Sequence, residues 1–558
     1  MNIFNTKKSP PPSMRGFFCL FFFVYSAILA AQGIRLQVAP TNYQLFPRDV
    51  RTNQATVLLS GAAARTSRFE QVRIKIFKEN ILLNTQEKAL VYTSDSTKFD
   101  FSIKIQAELA NYGIQIFGVT GNVETKVWAV EKIVAGDVYL INGQSNAEGR
   151  AAVFPTDIDE FSRSYTFENG WNLVQRSLPG QWGGRFAKRI IEEQKIPVAI
   201  FNQAAGGQMI NFYLRNDAAP VAGNYGTLLQ RLAAAGVQRA VRGAFWFHGE
   251  ADGWQTTTED YKTRFLKLHT AWKQDFGVAR SIIFQMRQGS CTAPSPRVAE
   301  AHRQLAAENT DILTLSTLNA AHDSCHFDYE NGYKTLAERL FQLVANEFYG
   351  RNFAGARSPD VSAAYWRDSV TIVVKMKTNG ASLQAIGNPF QYCAVEGDPT
   401  ATLKSATVLN DQIVFSVVKP SSRITGISYI GHPGRAAHWI VTPTNGNSIL
   451  SFYNFPVQKT APQAPNTGGD DILFKIVENP IREYLKIDYK NLWNTKEIQL
   501  EIFDILGRQI ESATQKITNA EGRFDYSLNG LADGHYFLKI SIPNQKFYKT
   551  LKFSIFNR

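Results

Sequence analysis

The chain has 558 residues, a formal net charge of +12 and 44% hydrophobic residues. This length exceeds what one ordinary hydrophobic core organises, so we expect three or four domains. The basic residues are scattered along the chain rather than grouped in a stripe, which does not favour a nucleic-acid-binding protein. The composition therefore indicates a basic globular protein with no nucleic-acid partner.

Residues 1–31 have the pattern of a secretory signal peptide. Lys7, Lys8 and Arg15 supply a charged region, and residues 17–30 form an apolar run that is too short for an ordinary membrane span. The run ends in small alanines that suit cleavage. We therefore expect an exported mature chain without a transmembrane segment.

Residues 32–132 contain short runs with alternating apolar and polar residues, separated by polar turns. Examples are residues 72–77, 99–105 and 112–117. This pattern predicts strands of an antiparallel β-sandwich. A structural or positioning domain is the favoured interpretation, and a sugar-binding module is the alternative.

The rhythm of the sequence changes over residues 133–352, where apolar runs alternate with helical stretches. This alternation predicts an α/β fold with a parallel sheet covered by helices on both faces, a three-layer α/β/α arrangement. The predicted strands are residues 138–141, 198–201, 243–247, 281–286 and 312–316. The predicted helices are residues 186–195, 228–235, 258–276, 297–308 and 333–348.

Two polar elements follow predicted strands of this domain. Ser145 comes directly after the first strand and Gly143, and Asp323 and His326 come after the last strand. A nucleophilic serine needs a base, and the base needs an acid to orient it. Either element could instead be a helix cap, and His322 and Asp328 are alternatives for the base and the acid.

Cleavage of the leader would remove Cys19 and leave three cysteines, which permit only one disulfide. We predict a bond between Cys291 and Cys325, because both lie just past the ends of predicted strands on the same edge. Cys393 belongs to another predicted domain. The alternative is that Cys291 and Cys325 are unpaired, small apolar residues.

Four blocks in this region resemble those of the SGNH (GDSL-type) hydrolases, in the branch of sialate O-acetylesterases and carbohydrate acetyl esterases. The blocks are Asn-Gly-Gln-Ser-Asn at 142–146, Asn-Gln-Ala-Ala-Gly-Gly-Gln-Met-Ile at 202–210, Phe-Trp-Phe-His-Gly-Glu-Ala-Asp at 245–252, and Asp-Ser-Cys-His at 323–326.

The resemblance implies a catalytic Ser145, Asp323 and His326, and oxyanion donors from the backbone N–H groups of Ser145 and Gly207. The third block departs from the family pattern, because His248 stands where Gln is common. A neutral imidazole can still donate one N–H. The remaining residues that the resemblance implies around the oxyanion and substrate are Gln144, Asn146 and Glu250.

These residues predict a serine esterase that removes O-acetyl groups from carbohydrate through an acyl-enzyme, without a metal or another cofactor. One alternative is a non-catalytic, glycan-binding surface protein with a degenerate hydrolase core. A lipid esterase of the same superfamily has less support, because the sequence contains no long apolar lid stretch.

The last third of the chain returns to β-rich sequence. Residues 353–457 predict an accessory β domain, and residues 458–470 have the composition of a linker. Residues 471–558 resemble the type A C-terminal sorting domain of type IX secretion. That resemblance implies the type IX secretion machinery as a partner, export across both membranes, and a secreted or surface location.

Overall fold

The computed structural model describes residues 33–150, 152–174, 179–253, 255–289, 291, 296–378, 381–443, 446–459, 473–481, 484–490, 492, 495–505, 507–528, 530–542 and 548–555. The predicted signal peptide and most of the predicted linker lie outside these residues. Within the described residues, no helix is long and apolar enough to cross a membrane.

The N-terminal module is a sandwich of two antiparallel sheets, as the alternating pattern predicts. One sheet has the order β1-β3-β6, and the other runs from β5 through β4 and β7 to β8. Inward residues of both sheets, such as Val57 and Ile114, share one hydrophobic core. The strands are β1 (Ile34–Val38), β2 (Leu45–Pro47), β3 (Gln54–Ala64), β4 (Gln71–Lys78), β5 (Ile81–Ala89), β6 (Ser96–Gln106), β7 (Tyr112–Thr120) and β8 (Val123–Gly143).

Strand β8 belongs to two modules at once. Its first half pairs with β7 in the sandwich, and its second half lies in the middle of the next sheet. The predicted boundary between residues 132 and 133 therefore falls inside a continuous strand. Lys132 has a φ of 59° and lies at a register shift, so a β-bulge turns the strand from one sheet to the other there.

The central sheet is parallel, in agreement with the strand-helix alternation. Its order is β10-β9-β11-β8-β12-β13-β14, and only β10 at the edge runs antiparallel to its neighbour. Strands β11 and β14 are buried along their whole length, which explains their unbroken apolar sequence. The further strands are β9 (Ser162–Thr166), β10 (Gly170–Leu173), β11 (Val198–Asn202), β12 (Val241–Phe247), β13 (Arg280–Gln285) and β14 (Ile312–Ser316).

Helices connect these strands and pack in pairs, α2 against α6 and α4 against α5. The bounds match the predicted helices closely except that α2 and α3 each begin five residues earlier, at Gln181 and Gly223. A Cβ on Gly183 would come within 2.7 Å of Ile141, so this glycine, a poor helix former, lets the helix lie close to β8. The helices are α1 (Ser145–Glu148), α2 (Gln181–Gln194), α3 (Gly223–Ala234), α4 (Thr258–Phe276), α5 (Pro296–Glu308) and α6 (Lys334–Tyr349). Short 3-10 helices cover Arg65–Ser67, Pro155–Asp157, Ile210–Tyr213 and Pro389–Tyr392, and a π-helical turn covers Tyr329–Tyr333.

The accessory module that follows is built from small antiparallel sheets and is joined to the central sheet by buried hydrogen bonds. The side-chain amide of Gln285 donates to the carbonyl of Ser451 (2.9 Å) and its oxygen accepts the N–H of Ser451 (2.8 Å). The strands are β15 (Asp360–Asp368), β16 (Thr371–Lys377), β17 (Gln384–Ile386), β18 (Cys393–Glu396), β19 (Thr402–Leu409), β20 (Gln412–Val418), β21 (Gly426–Tyr429), β22 (Trp439–Val441) and β23 (Phe452–Pro456).

The C-terminal module has two antiparallel sheets, β24-β25-β28 and β27-β26-β29-β30, around a core of its own. Leu485 and Ile487 from one sheet and Leu538 and Ile540 from the other are fully buried in that core. The strands are β24 (Leu473–Ile476), β25 (Tyr484–Lys490), β26 (Glu497–Asp504), β27 (Gln509–Lys516), β28 (Gly522–Ser527), β29 (Gly534–Ser541) and β30 (Tyr548–Ile555).

Candidate active site

Ser145 lies at the carboxyl end of the central strand β8, where the chain turns sharply into α1. Gly143 has a φ of 130°, and a Cβ there would come within 2.2 Å of the carbonyl oxygen of Phe247 on the neighbouring strand. Only glycine fits this position. As the first residue of the helix, Ser145 has an N–H without an intrahelical acceptor, and its side chain is partly exposed.

The loop after β11 brings two glycines beside Ser145. A Cβ on Gly206 would lie 3.5 Å from the Cβ of Ser145, so the two backbones are neighbours. The Gly206 N–H donates to Oε1 of Glu148 at 2.7 Å. Gly207 is exposed, has a φ of 70°, and has open space around its Cα. Its backbone can therefore approach a bound molecule closely.

Asn146 joins the serine turn to the loop that carries His326. Its side-chain amide donates to the carbonyl of Cys325 (3.2 Å) and to Oε1 of Glu250 (2.7 Å), and its oxygen accepts the hydroxyl of Tyr333 (3.0 Å). Asn146 and Cys325 are the chain neighbours of Ser145 and His326, so this bond holds the two candidate catalytic residues on adjoining loops.

Asp323 contacts His326 in a way that differs from the prediction. Its Oδ1 accepts the backbone N–H of His326 (2.8 Å) and its Oδ2 pairs with Arg150. Both oxygens are therefore engaged, whereas the sequence predicted a bond to the His326 ring. The N–H of Asp323 also donates to the His326 carbonyl (2.8 Å), and this closed turn directs the carboxylate to the backbone. Burial raises the pKa of Asp323, but the His326 N–H and Arg150 outweigh it and leave that pKa below its usual value.

Two further features hold the 323–326 loop in place. Cys291 and Cys325 are joined by a disulfide, the pair that the sequence predicts. The buried guanidinium of Arg287 donates to the carbonyl of Ser324, whose φ of 90° is unusual for a residue with a side chain. Burial lowers the pKa of Arg287 to about 10, and the side chain acts here as a hydrogen-bond donor to the loop backbone.

The two alternatives for the base and the acid have other environments. His322 is buried, its Nδ1 accepts the N–H of Ser324 (3.2 Å), and its Nε2 donates to the carbonyl of Gly434 (3.1 Å). Burial lowers the pKa of His322 to about 4. Asp328 is exposed, and its N–H donates to the carbonyl of Ala321 (3.0 Å). The structure thus gives His322 a structural contact on each ring nitrogen.

His248 is fully buried, and both of its ring nitrogens have protein partners. Nε2 lies 3.0 Å from the carbonyl oxygen of Gln208, and Nδ1 lies 2.8 Å from the hydroxyl of Tyr261. A carbonyl accepts only, so Nε2 carries the proton and donates it to Gln208. This N–H therefore contacts the backbone next to Gly207 in the structure, and its predicted role as an oxyanion donor stays a prediction. Burial lowers the pKa of His248 to about 3 and keeps the ring neutral.

The tautomer of His248 is fixed by a chain of buried donors and acceptors. The N–H of Met286 donates to Nδ1 of His302 (3.3 Å), so the His302 proton is on Nε2 and points to the hydroxyl of Tyr261 (3.1 Å). The same hydroxyl accepts the indole N–H of Trp246 (3.1 Å). Because it receives these two protons, its own proton goes to Nδ1 of His248.

Gln144 and Glu250, which were predicted near the substrate, are buried and connect the motif blocks. The side-chain oxygen of Gln144 lies 3.3 Å from the N–H groups of both Gly249 and Ala251. Glu250 accepts the amide of Asn146. The exposed fractions of Gln144, Asn146 and Glu250 are 3%, 0% and 4%, so these side chains are covered by protein and hold the loops in place.

Several residues that shape this site were not predicted from the sequence. Glu148 and Arg150 follow the serine motif directly, and their charges beside Ser145 were the available signal. Arg287 and Tyr261 carry no local signal, because their partners are distant in sequence.

The carboxyl ends of the parallel strands bring together a serine, two glycines with accessible backbone and the loop that carries His326. These are the parts of a hydrolase site. The comparisons with known proteins define the class further. Residues 135–346 match the family described as carbohydrate esterase, sialic acid-specific acetylesterase, and residues 476–553 match the secretion system C-terminal sorting domain. The chain therefore contains a carbohydrate esterase domain of this family, and its tail directs type IX export to the cell surface or the medium.

One solved structure supports the fold. A carbohydrate acetylesterase from Xanthomonas citri has 16% sequence identity and a TM-score of 0.55, over 75% of this chain and 99% of that chain. A protein from Arabidopsis thaliana has 17% identity and a TM-score of 0.32, over 38% of this chain and 99% of that chain. Among curated proteins, none matches the chain.

Proposed function

We propose that this secreted carbohydrate esterase removes O-acetyl groups from carbohydrate through an acetyl-enzyme on Ser145, within a three-layer α/β/α domain. The observation that carries the proposal is the hydrogen bond from Asn146 to the Cys325 carbonyl, at 3.2 Å. It holds the turn that presents Ser145 next to the loop that presents His326. The Xanthomonas acetylesterase supports the acetyl group as the one removed.

The chemistry divides among the chain's own residues. His326 takes the proton of Ser145 as Oγ attacks the acetyl carbonyl carbon, and the N–H groups of Ser145 and Gly207 stabilise the oxyanion. The bond between the acetyl carbon and the sugar oxygen then breaks, and His326 gives the proton to that oxygen, which leaves as a hydroxyl group. A water molecule, activated by the same histidine, attacks the acetyl-enzyme and releases acetate.

Asp323 is the carboxylate beside the base. It accepts the backbone N–H of His326, and its negative charge favours the imidazolium that forms when His326 takes the proton. His248 supports the oxyanion indirectly, because its bond to the Gln208 carbonyl holds the loop on which Gly207 lies. In this proposal His248 is a positioning residue.

Acetate release from 4-nitrophenyl acetate and from a panel of acetylated xylan, glucomannan and pectin tests the proposal. Ser145→Ala and His326→Ala should each remove nearly all turnover, and their combination should cost little more than either change alone. Ser324→Ala is the matched control, because Ser324 contacts Arg287 through its backbone carbonyl. Mass spectrometry after a rapid quench should detect one acetyl group on the peptide that contains Ser145.

One variant at Asp323 separates the hydrogen bond that its side chain accepts from the negative charge that it carries. Asp323→Asn keeps an oxygen that can accept the His326 N–H, so it should reduce turnover less than His326→Ala does. A wild-type protein that releases no acetate from any of these esters would overturn the proposal and favour a glycan-binding surface protein. A His326→Ala variant with near-normal turnover would instead exclude His326 as the base.

A further inference from the structure

A loop of the accessory module forms one wall beside the candidate active site. This loop, residues 431–439, follows β21 and ends at Trp439, the first residue of β22. Its Gly434 carbonyl accepts the ring N–H of His322 (3.1 Å), the residue directly before Asp323. Its Pro433 packs on Gly289, where a Cβ would come within 2.8 Å of the Pro433 side chain. The loop therefore contacts the segments that follow both β13 and β14, at the edge where His326 lies.

Three partly exposed aromatic side chains, Tyr392, His432 and His438, pack against one another at this loop. The ring centroids of Tyr392 and His432 are 4.7 Å apart, those of His432 and His438 are 5.0 Å apart, and those of Tyr392 and His438 are 6.3 Å apart. All three side chains are half-buried and lie outside the hydrophobic core of the accessory module. Packing within the core therefore does not account for the cluster.

The polar atoms of the cluster suit a ligand that carries hydroxyl groups. Nδ1 of His438 accepts the N–H of Asn388 (2.9 Å), so a neutral His438 ring carries its proton on Nε2. The Tyr392 hydroxyl can donate and accept. Rings that combine an apolar face with a polar edge fit a pyranose unit, which has apolar C–H faces and a rim of hydroxyls. Two histidines and a tyrosine are by contrast a weak metal-binding set.

We infer that Tyr392, His432 and His438 form a subsite for sugar units next to the acetylated one, so that the substrate is an oligomeric or polymeric glycan. The inference rests on the proposed function. The acetylated unit would lie at Ser145, and the adjoining units would extend over the 431–439 loop. This assigns the accessory module a part in substrate selection.

The test compares a polymer with a small ester that is too short to reach the loop. The probes are 4-nitrophenyl acetate and the polysaccharide of the acetylated xylan, glucomannan and pectin panel that the wild-type enzyme deacetylates fastest. The double variant Tyr392→Ala, His438→Ala should lower kcat/KM on the polymer at least tenfold, mainly through KM. Its turnover of 4-nitrophenyl acetate should stay within twofold of wild type, which also reports a folded active site.

Two control variants test whether the effect is specific to the ring cluster and its polar groups. Tyr365→Ala changes another half-buried ring of the same module, on β15, and should leave polymer activity unchanged. The conservative pair Tyr392→Phe, His438→Gln keeps one ring face and one N–H donor and should recover most of the polymer activity.

The outcomes separate this inference from the proposed function. An enzyme that cleaves 4-nitrophenyl acetate but none of the polysaccharides overturns the subsite and leaves the esterase proposal intact. Equal losses on polymer and small ester would mean that the cluster only supports the fold, and they would also overturn the subsite. A wild-type protein inactive on every ester would overturn both.

Discussion

Removal of the hydroxyl of Tyr261 would break the buried hydrogen-bond network behind the loop that carries Gly207. Tyr261→Phe keeps the ring but leaves the indole N–H of Trp246, Nε2–H of His302 and Nδ1 of His248 without their common partner. All four side chains are fully buried. An unsatisfied buried polar group costs about 1–3 kcal/mol, so we expect the free energy of unfolding to fall by about 3 kcal/mol or more.

Urea unfolding of the esterase domain, followed by tryptophan fluorescence, measures this loss. Tyr225→Phe is the matched control, because the Tyr225 ring is equally buried but its hydroxyl donates to Asp275, which is partly exposed and also pairs with Arg215. Because Asp275 can form a hydrogen bond with water in place of the one that it loses, we expect the free energy of unfolding of the control to fall by about 1 kcal/mol. A Tyr261→Phe loss no larger than that of the control would refute the network.

The same variant has a kinetic consequence. Without the Tyr261 hydroxyl, Nδ1 of His248 has lost its donor, and the tautomer that donates to the Gln208 carbonyl is no longer enforced. The loop that carries Gly207 then loses a fixed contact. We expect kcat on 4-nitrophenyl acetate to fall while KM changes little, because the oxyanion forms only after the substrate has bound.

Three further changes give outcomes that can be measured directly. Reduction of the Cys291–Cys325 disulfide should lower activity and, by the chain-entropy relation for a separation of 34 residues, destabilise the domain by about 4 kcal/mol; unchanged melting under reducing conditions would contradict this. Burial lowers the pKa values of His248 and His302 to about 3, below the 6.5 of an unfolded chain, so the unfolded state gains protons first as the pH falls. The contribution of these histidines to the free energy of unfolding should be complete above pH 6.5 and should fall between pH 6.5 and 3 by about 1.4 kcal/mol per pH unit for each histidine. A free energy of unfolding, measured in urea, that does not change over this pH range would exclude this. Deletion of residues 471–558 should stop export to the surface or the medium, which fractionation of the producing cells would detect.

The parts of the fold that were predictable are those with a local, repeated signal. Strands β11 and β14 are buried on both faces, so their sequences are apolar throughout and stand out. The starts of α2 and α3 were missed, because Gly183 and Gly184 in α2 and Gly223 and Gly226 in α3 lower the helical signal of the first turns. The two-sheet role of β8 was hidden as well, because one bulge at Lys132 carries no distinctive sequence pattern.

The positions of the candidate-site residues were predictable where these residues follow the end of a strand. Ser145 and Gly207 fall in this group, because Gly143 and the two glycines of the next block mark tight turns by their type alone. The partner of Asp323 was not predictable. Arg150 lies far from it in sequence, and the choice between a ring nitrogen and a backbone N–H depends on the turn that the loop adopts.

The burial of Gln144, Asn146 and Glu250 follows from the sheet itself. Strands β8 and β12 are parallel neighbours with Gly143 opposite Phe247, so the turns that leave them lie side by side. The backbone groups of those turns are covered by protein and need hydrogen-bond partners. The side chain of Gln144 supplies an acceptor to the turn after β12, and Asn146 supplies a donor to the carbonyl of Cys325. Polar residues on either side of a candidate nucleophile can therefore serve to hold the adjoining loops together, and here their burial indicates that role.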